Sequence, residues 1–104
     1  MPGSRPRSPA PTLLSAAESE TRLRALPAGW RIDAGRLVRE FKFPNFLEAL
    51  AFANRAGEVA EQAGHHPDLL IGWGRAVVTI WTHSVGGLTG KDFALAEKIG
   101  AVET

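Results

Sequence analysis

Residues 69–82 read Leu69-Leu70-Ile71-Gly72-Trp73-Gly74-Arg75-Ala76-Val77-Val78-Thr79-Ile80-Trp81-Thr82, and this stretch decides the fold. Two runs of strand-favouring side chains, Leu69–Trp73 and Arg75–Thr82, meet near Gly74, where the chain can reverse tightly. The second run is dense in β-branched residues at Val77, Val78, Thr79 and Ile80, whose restricted χ1 suits extended backbone. A β-hairpin is the expected result. Along its second strand Val77, Thr79 and Trp81 point one way and Val78 and Ile80 the other, so neither face is cleanly polar. Such a sheet needs helices over one side and predicts self-association through its other face or an edge.

Working outward toward the N-terminus, Trp30–Asp33 and Leu37–Phe43 flank Ala34-Gly35 and predict a first hairpin, with Leu37, Arg39, Phe41 and Phe43 on one side. Pro44-Asn45 breaks the second strand, and Asn45 is a suitable N-cap for a long helix reaching about Gly64. Phe46, Ala49, Leu50, Ala53, Ala56, Gly57, Ala60 and Ala63 recur on one face of that helix as a stripe of mostly small side chains that permits close approach to a sheet. A short helix is expected from about Ala16 to Leu26, stopped by Pro27. Beyond Gly86-Gly87, Thr89-Gly90-Lys91-Asp92 has capping-box spacing with Asp in the acidic position, opening a last helix with Leu95, Ile99 and Val102 on its apolar face.

The element order is therefore α-β-β-α-β-β-α. It predicts an α+β domain over residues 18–104, with a four-stranded antiparallel sheet and helices packed on one face. Residues 1–17, with Pro2, Pro6, Pro9 and Pro11 and several serines, are expected to form a flexible tail. The apolar run from Leu13 to Ala17 is too short for the core of a secretory signal, and no stretch approaches the length of a membrane span. Cytoplasmic residence is the resulting expectation.

With 104 residues, the chain closes one modest core. Twelve Lys+Arg against eleven Asp+Glu leave a formal net charge of +1, which gives no support to nucleic-acid or anionic-membrane binding. The absence of cysteine excludes disulfides, thiolate nucleophiles and sulfur-ligated zinc.

All three histidines, His65, His66 and His83, fall within a short span, two of them adjacent at a helix end before Pro67. Imidazoles exchange protons near neutrality, so a cluster of them in a cleft suits general acid–base work. Three histidines can also hold a zinc ion with an open position for water, although adjacent residues point apart and are poorly placed to share one ion. A Ser–His–Asp arrangement could be drawn from Ser84 and Asp92, but no nucleophile-elbow sequence surrounds Ser84. Glu61, four residues before His65, would share a helical face with it if the helix persisted that far.

The spacing Glu61-x3-His65-His66-Pro67-x5-Trp73-x9-His83-x8-Asp92 resembles the signature of the pterin-4a-carbinolamine dehydratases. Gly29-Trp30, Phe41-Lys42-Phe43, Thr82-His83 and Gly87-Leu88-Thr89 are similar to the same family, and the likeness runs from about Leu23 to Val102. What the resemblance implies is a hydro-lyase that needs neither metal nor redox cofactor. It would convert 4a-hydroxytetrahydrobiopterin to quinonoid dihydropterin and water, in support of tetrahydrobiopterin recycling. It assigns proton transfer to His65 and His83, with Glu61 supporting, and pterin binding to His66, Asp92 and Trp73. It also implies a homo-oligomer, dimer or tetramer. The alternative that the resemblance leaves open is a non-catalytic protein-binding or dimerisation cofactor on the same fold.

Overall fold

The computed structural model describes residues 11–102. Its elements follow in the order α1 (Ala16–Ala25), β1 (Arg31–Asp33), β2 (Arg36–Lys42), α2 (Phe46–Ala63), β3 (Asp68–Gly72), β4 (Arg75–Ile80) and α3 (Gly90–Ala101), with a single 3₁₀ turn at His83–Val85 before α3. The four strands form one antiparallel sheet in the spatial order β1-β2-β4-β3. Both hairpins are tight. Ala34 and Gly35 have φ of +51° and +75°, the paired left-handed conformation whose twist matches that of the strands it joins. Asn45 caps α2 by accepting from the Glu48 N–H at 2.9 Å.

The strand register decides which side is covered. Leu37, Phe41, Ala76, Val78 and Ile80 point to the helical side and are buried with Phe52, Ala56 and Ala60 of α2 and Phe93, Leu95, Ala96 and Ile99 of α3. Phe41 and Phe52 meet with ring centroids 4.5 Å apart. The small side chains of α2 do what their pattern predicts: Ala49, Ala56 and Ala60 are almost wholly buried, letting the helix lie close on β3 and β4.

The opposite face alternates with the core face and carries Val38, Glu40 and Lys42 of β2, Arg75, Val77 and Thr79 of β4 and Leu70 of β3. Glu40 and Arg75 pair across it at 3.2 Å.

Of the segment expected to be a tail, residues 1–10 lie outside the described residues. Residues 11–17 do not hang free. The Leu14 N–H donates to the Leu88 carbonyl at 2.8 Å, Leu14 packs against the core, Ser15 caps α1, and Ala16 and Ala17 open that helix. Leu14 supplies the apolar anchor that the proline-rich composition hides.

Candidate active site

The site forms where α2 ends, β4 ends and α3 begins. At the C-terminus of α2, Gly64 adopts the left-handed conformation (φ +65°), a backbone state that glycine takes without steric cost. The His65 N–H then caps the Ala60 carbonyl at 3.2 Å, and the chain turns out of the helix between Gly64 and Pro67. At the end of β4, Thr82 is extended and closes the loop that follows it through paired backbone bonds with Gly87, at 2.8 and 3.4 Å. His83 is thereby fixed as the first residue of a short turn. Alternation along this strand sends Thr82 toward α3 and His83 the other way.

The three histidines line one cavity of about 460 Å³, together with Pro11, Gly64, Thr82, Ser84 and Lys91. Their surroundings differ. His65 Nε2 lies 2.5 Å from Asp92 Oδ1, with the His65 side chain 14% exposed and that of Asp92 fully buried. Asp92 Oδ2 accepts from the Thr82 hydroxyl and from the Thr89 N–H, each at 2.8 Å. Thr89 and Thr82 hydroxyls are 2.9 Å apart, and the Lys91 N–H donates to Thr89 Oγ1 at 3.2 Å.

These bonds have one consistent direction. An ionised carboxylate only accepts, so the Thr82 proton is committed to Asp92 and the Thr89 hydroxyl must donate to Thr82. By the same logic His65 Nε2 carries a proton, and in the neutral ring Nδ1 holds the free lone pair. A buried carboxylate is tolerable here because every partner in its network is a donor.

His66 Nε2 meets Glu61 Oε1 at 2.8 Å, and both side chains are largely exposed. The expected pairing of Glu61 with His65 is therefore corrected. The helix stops at Ala63, and the left-handed turn at Gly64 removes His65 from the face that Glu61 occupies, leaving His66 in reach. Asp92 is both the acidic residue of the α3 capping box and the partner of His65. Trp73 does not join this group. It sits at the tip of the β3–β4 hairpin, 73% exposed, beside Phe43, Gly74 and Arg75, because the two-residue turn projects it away from the core and from the cavity.

The structure adds residues to the site that the pattern of histidines does not reveal. Thr82 could have been found from its alternation with His83, but nothing in the sequence signals that Pro11 forms part of the cavity wall. Among the described residues, no three His, Asp or Glu side chains are grouped to hold a metal ion. No described helix is long and apolar enough to cross a membrane.

The α+β domain thus presents a cavity lined by three imidazoles, one of them backed by a buried carboxylate, groups able to exchange protons with a bound molecule. Residues 12–102 match the family model described as pterin 4 alpha carbinolamine dehydratase, and the chain belongs to that family. A protein of Rubrobacter xylanophilus, provisionally named a pterin-4-alpha-carbinolamine dehydratase, is 51% identical over 87 residues, 83% of this chain and 80% of that one. One of Thermosynechococcus vestitus with the same provisional name is 51% identical over 86 residues, 83% of this chain and 90% of its own. Among solved structures, the Brucella melitensis protein titled transcriptional coactivator/pterin dehydratase superposes with a TM-score of 0.83 at 35% identity, covering 89% of this chain and all of its own. A pterin dehydratase-like RuBisCO assembly factor of the alpha-carboxysome shares the fold, at a TM-score of 0.60 and 20% identity, over 72% of this chain and 89% of its own.

Proposed function

We propose that the chain dehydrates a 4a-hydroxytetrahydropterin, tetrahydrobiopterin's carbinolamine being the expected substrate, and so serves the recycling of that cofactor. The observation that carries this reading is the single cavity bounded by His65, His66 and His83, with the first of these held by buried Asp92. The reaction breaks the C4a–O bond and forms the C4a=N5 double bond. A base takes the N5 proton, and an acid gives a proton to the departing hydroxyl, so that water leaves.

His65 suits the base. Asp92 holds the Nε2–H tautomer, leaves Nδ1 to accept the N5 proton, and faces the imidazolium with a negative charge once it forms. His83, which lines the same cavity and is exposed to solvent, suits the acid and can be reprotonated from water. His66, steadied by Glu61, would hydrogen-bond the pterin and orient it. Trp73 has no place in this assignment within one protomer.

The test is to generate 4a-hydroxytetrahydropterin enzymatically and follow its ultraviolet conversion with and without the protein. Positioned acids and bases contribute about 10²- to 10⁴-fold each, so His65→Ala and His83→Ala should each lower the rate by at least about 100-fold. A wild-type protein that leaves the spontaneous rate unchanged would refute the proposal.

The reading also carries a homo-oligomer and cytoplasmic residence. Leu70 on the open sheet face and Phe46, Leu47 and Leu50 on α2 expose apolar surface that a second copy would cover. A monomeric mass by light scattering at micromolar concentration, or a tagged chain found outside the cytoplasm, would remove the corresponding part.

A further inference from the structure

The dehydratase reading assigns His83 a proton-transfer role but leaves open what holds its ring. Asp92 holds His65 and Glu61 holds His66. Among the described residues, the ring of His83 rests instead on an indole. Trp81 and His83 stack with centroids 4.2 Å apart and planes 12° from parallel. The Arg36 guanidinium also lies over the Trp81 ring, its Cζ 3.9 Å from the centroid.

The backbone explains the pile. Thr82 is extended, so the side chains at 81 and 83 leave the strand on the same side. The pairing Leu37↔Ile80, continued by one residue, puts Arg36 opposite Trp81 on the open face of the sheet. Three elements thus converge: the start of β2, the end of β4 and the turn that opens at His83.

We propose that Trp81 is the positioning residue for His83, held in its plane by Arg36, so that the sheet face away from the helices sets the aim of the proton donor. This inference rests on the dehydratase reading for its catalytic consequence. Stacking covers the face of the imidazole and leaves its edge, which carries both nitrogens, directed outward. An exposed histidine would otherwise populate several rotamers, and only some would bring a nitrogen to the leaving oxygen. Fixing the plane before substrate arrives removes that disorder from the reacting complex. Arg36 acts one step further back: a guanidinium lying flat on indole holds it by cation–π attraction and by stacking.

The test has a spectroscopic arm and a kinetic arm. In the wild-type protein the ring current of the stacked indole should move the His83 ring protons upfield of those of exposed His66, and Trp81→Leu should abolish that displacement. The same variant should lose roughly tenfold in kcat with KM within about twofold, because orientation rather than binding is lost. Trp81→Phe keeps an aromatic face and should recover kcat to within about threefold of wild type. Arg36→Gln leaves the indole in place and should give a smaller loss with partial reduction of the upfield shift.

Trp81 also packs against the core, so a poorly folded Trp81→Leu shifts the decision to Trp81→Phe, Arg36→Gln and the wild-type spectrum. Unshifted His83 protons in the wild type, or full kcat in a folded Trp81→Leu, would overturn the proposal. A protein with the upfield shift but no dehydration would instead refute the dehydratase reading, and the catalytic role of Trp81 with it.

Discussion

At the start of α1, Ser15 and Glu18 satisfy each other's backbone donors, Ser15 N–H to Glu18 at 2.9 Å and Glu18 N–H to the Ser15 hydroxyl at 3.1 Å. At the start of α3, Thr89 and Asp92 make the same reciprocal cap. The first pair is exposed and does nothing else. The second is buried against the end of β4, and the acidic member has an oxygen left over, which His65 takes. One local motif is thus a helix start in one place and the floor of a site in another. What separates them is burial: in a low-dielectric corner an unpaired carboxylate oxygen is costly, so the partner that completes it is tightly fixed.

The sharpest way to break this contrast is Asp92→Asn. The amide keeps the shape but turns two N–H donors toward groups that are themselves donors, and it removes the charge opposite His65. Loss of about 10²-fold or more in dehydration rate is expected, with roughly 1–3 kcal/mol of stability from the frustrated buried bonds. Calorimetry and the carbinolamine assay together would show it. If both stayed at wild-type values, the buried corner would be no more than a cap.

A milder cut is Thr82→Val, which deletes one donor to Asp92 and leaves the His65 contact. Near-isosteric replacement should cost about 1 kcal/mol in thermal unfolding. The rate should fall less than tenfold, since the tautomer of His65 survives, an expectation checked in the same assay.

The other histidine–carboxylate pair supplies the surface counterpart. Glu61 and His66 are as close as a good hydrogen bond, yet both lie in solvent, where such pairs contribute about 0–1 kcal/mol and are screened by salt. Glu61→Gln should change the rate less than about threefold, and that difference should vanish in high salt while the effect of Asp92→Asn persists. Rates measured across a salt series decide the matter. A large, salt-independent effect of Glu61→Gln would place Glu61 beside Asp92 in importance.

How far the sequence discloses these differences follows from the same residues. The two hairpins, the α2 stripe and the Thr89–Asp92 cap are legible because each depends on neighbours within a few positions. The element order, and with it the α+β fold, can be assembled from them. The grouping of the histidines is legible only as a family resemblance, since it depends on β4 lying between β2 and β3. The exchange of partners at Glu61 turns on one left-handed glycine at the end of α2, which shifts which histidine comes within reach. Trp73 reads as a site or core residue because tryptophans are commonly buried, and only the two-residue turn shows that it projects into solvent. The hold that Leu14 has on Leu88 is a long-range contact inside a proline-rich stretch, where composition points the other way.

The smallest expected effect belongs to the exposed cap, and its sign can be worked out. The Ser15 N–H, followed by the Ser15 hydroxyl, holds the Glu18 carboxyl below its ordinary value of 4.5; desolvation opposes them, and the Arg22 charge adds the smallest lowering effect. The folded state therefore prefers the ionised form more than the unfolded chain does. That preference supports α1 in full above the ordinary glutamate value and is lost as pH falls through the lowered folded value. Amide exchange at Ser15 and in the first turn of α1 should accelerate relative to the rest of the domain as pH drops from about 6 toward 3, after correction for the intrinsic exchange rate. Glu18→Gln should remove this dependence, because a neutral amide oxygen accepts the same bond at every pH. The core of the domain, with α3 and its buried cap, should not follow that local transition, and if α1 and α3 loosened together the two caps would belong to one cooperative unit after all.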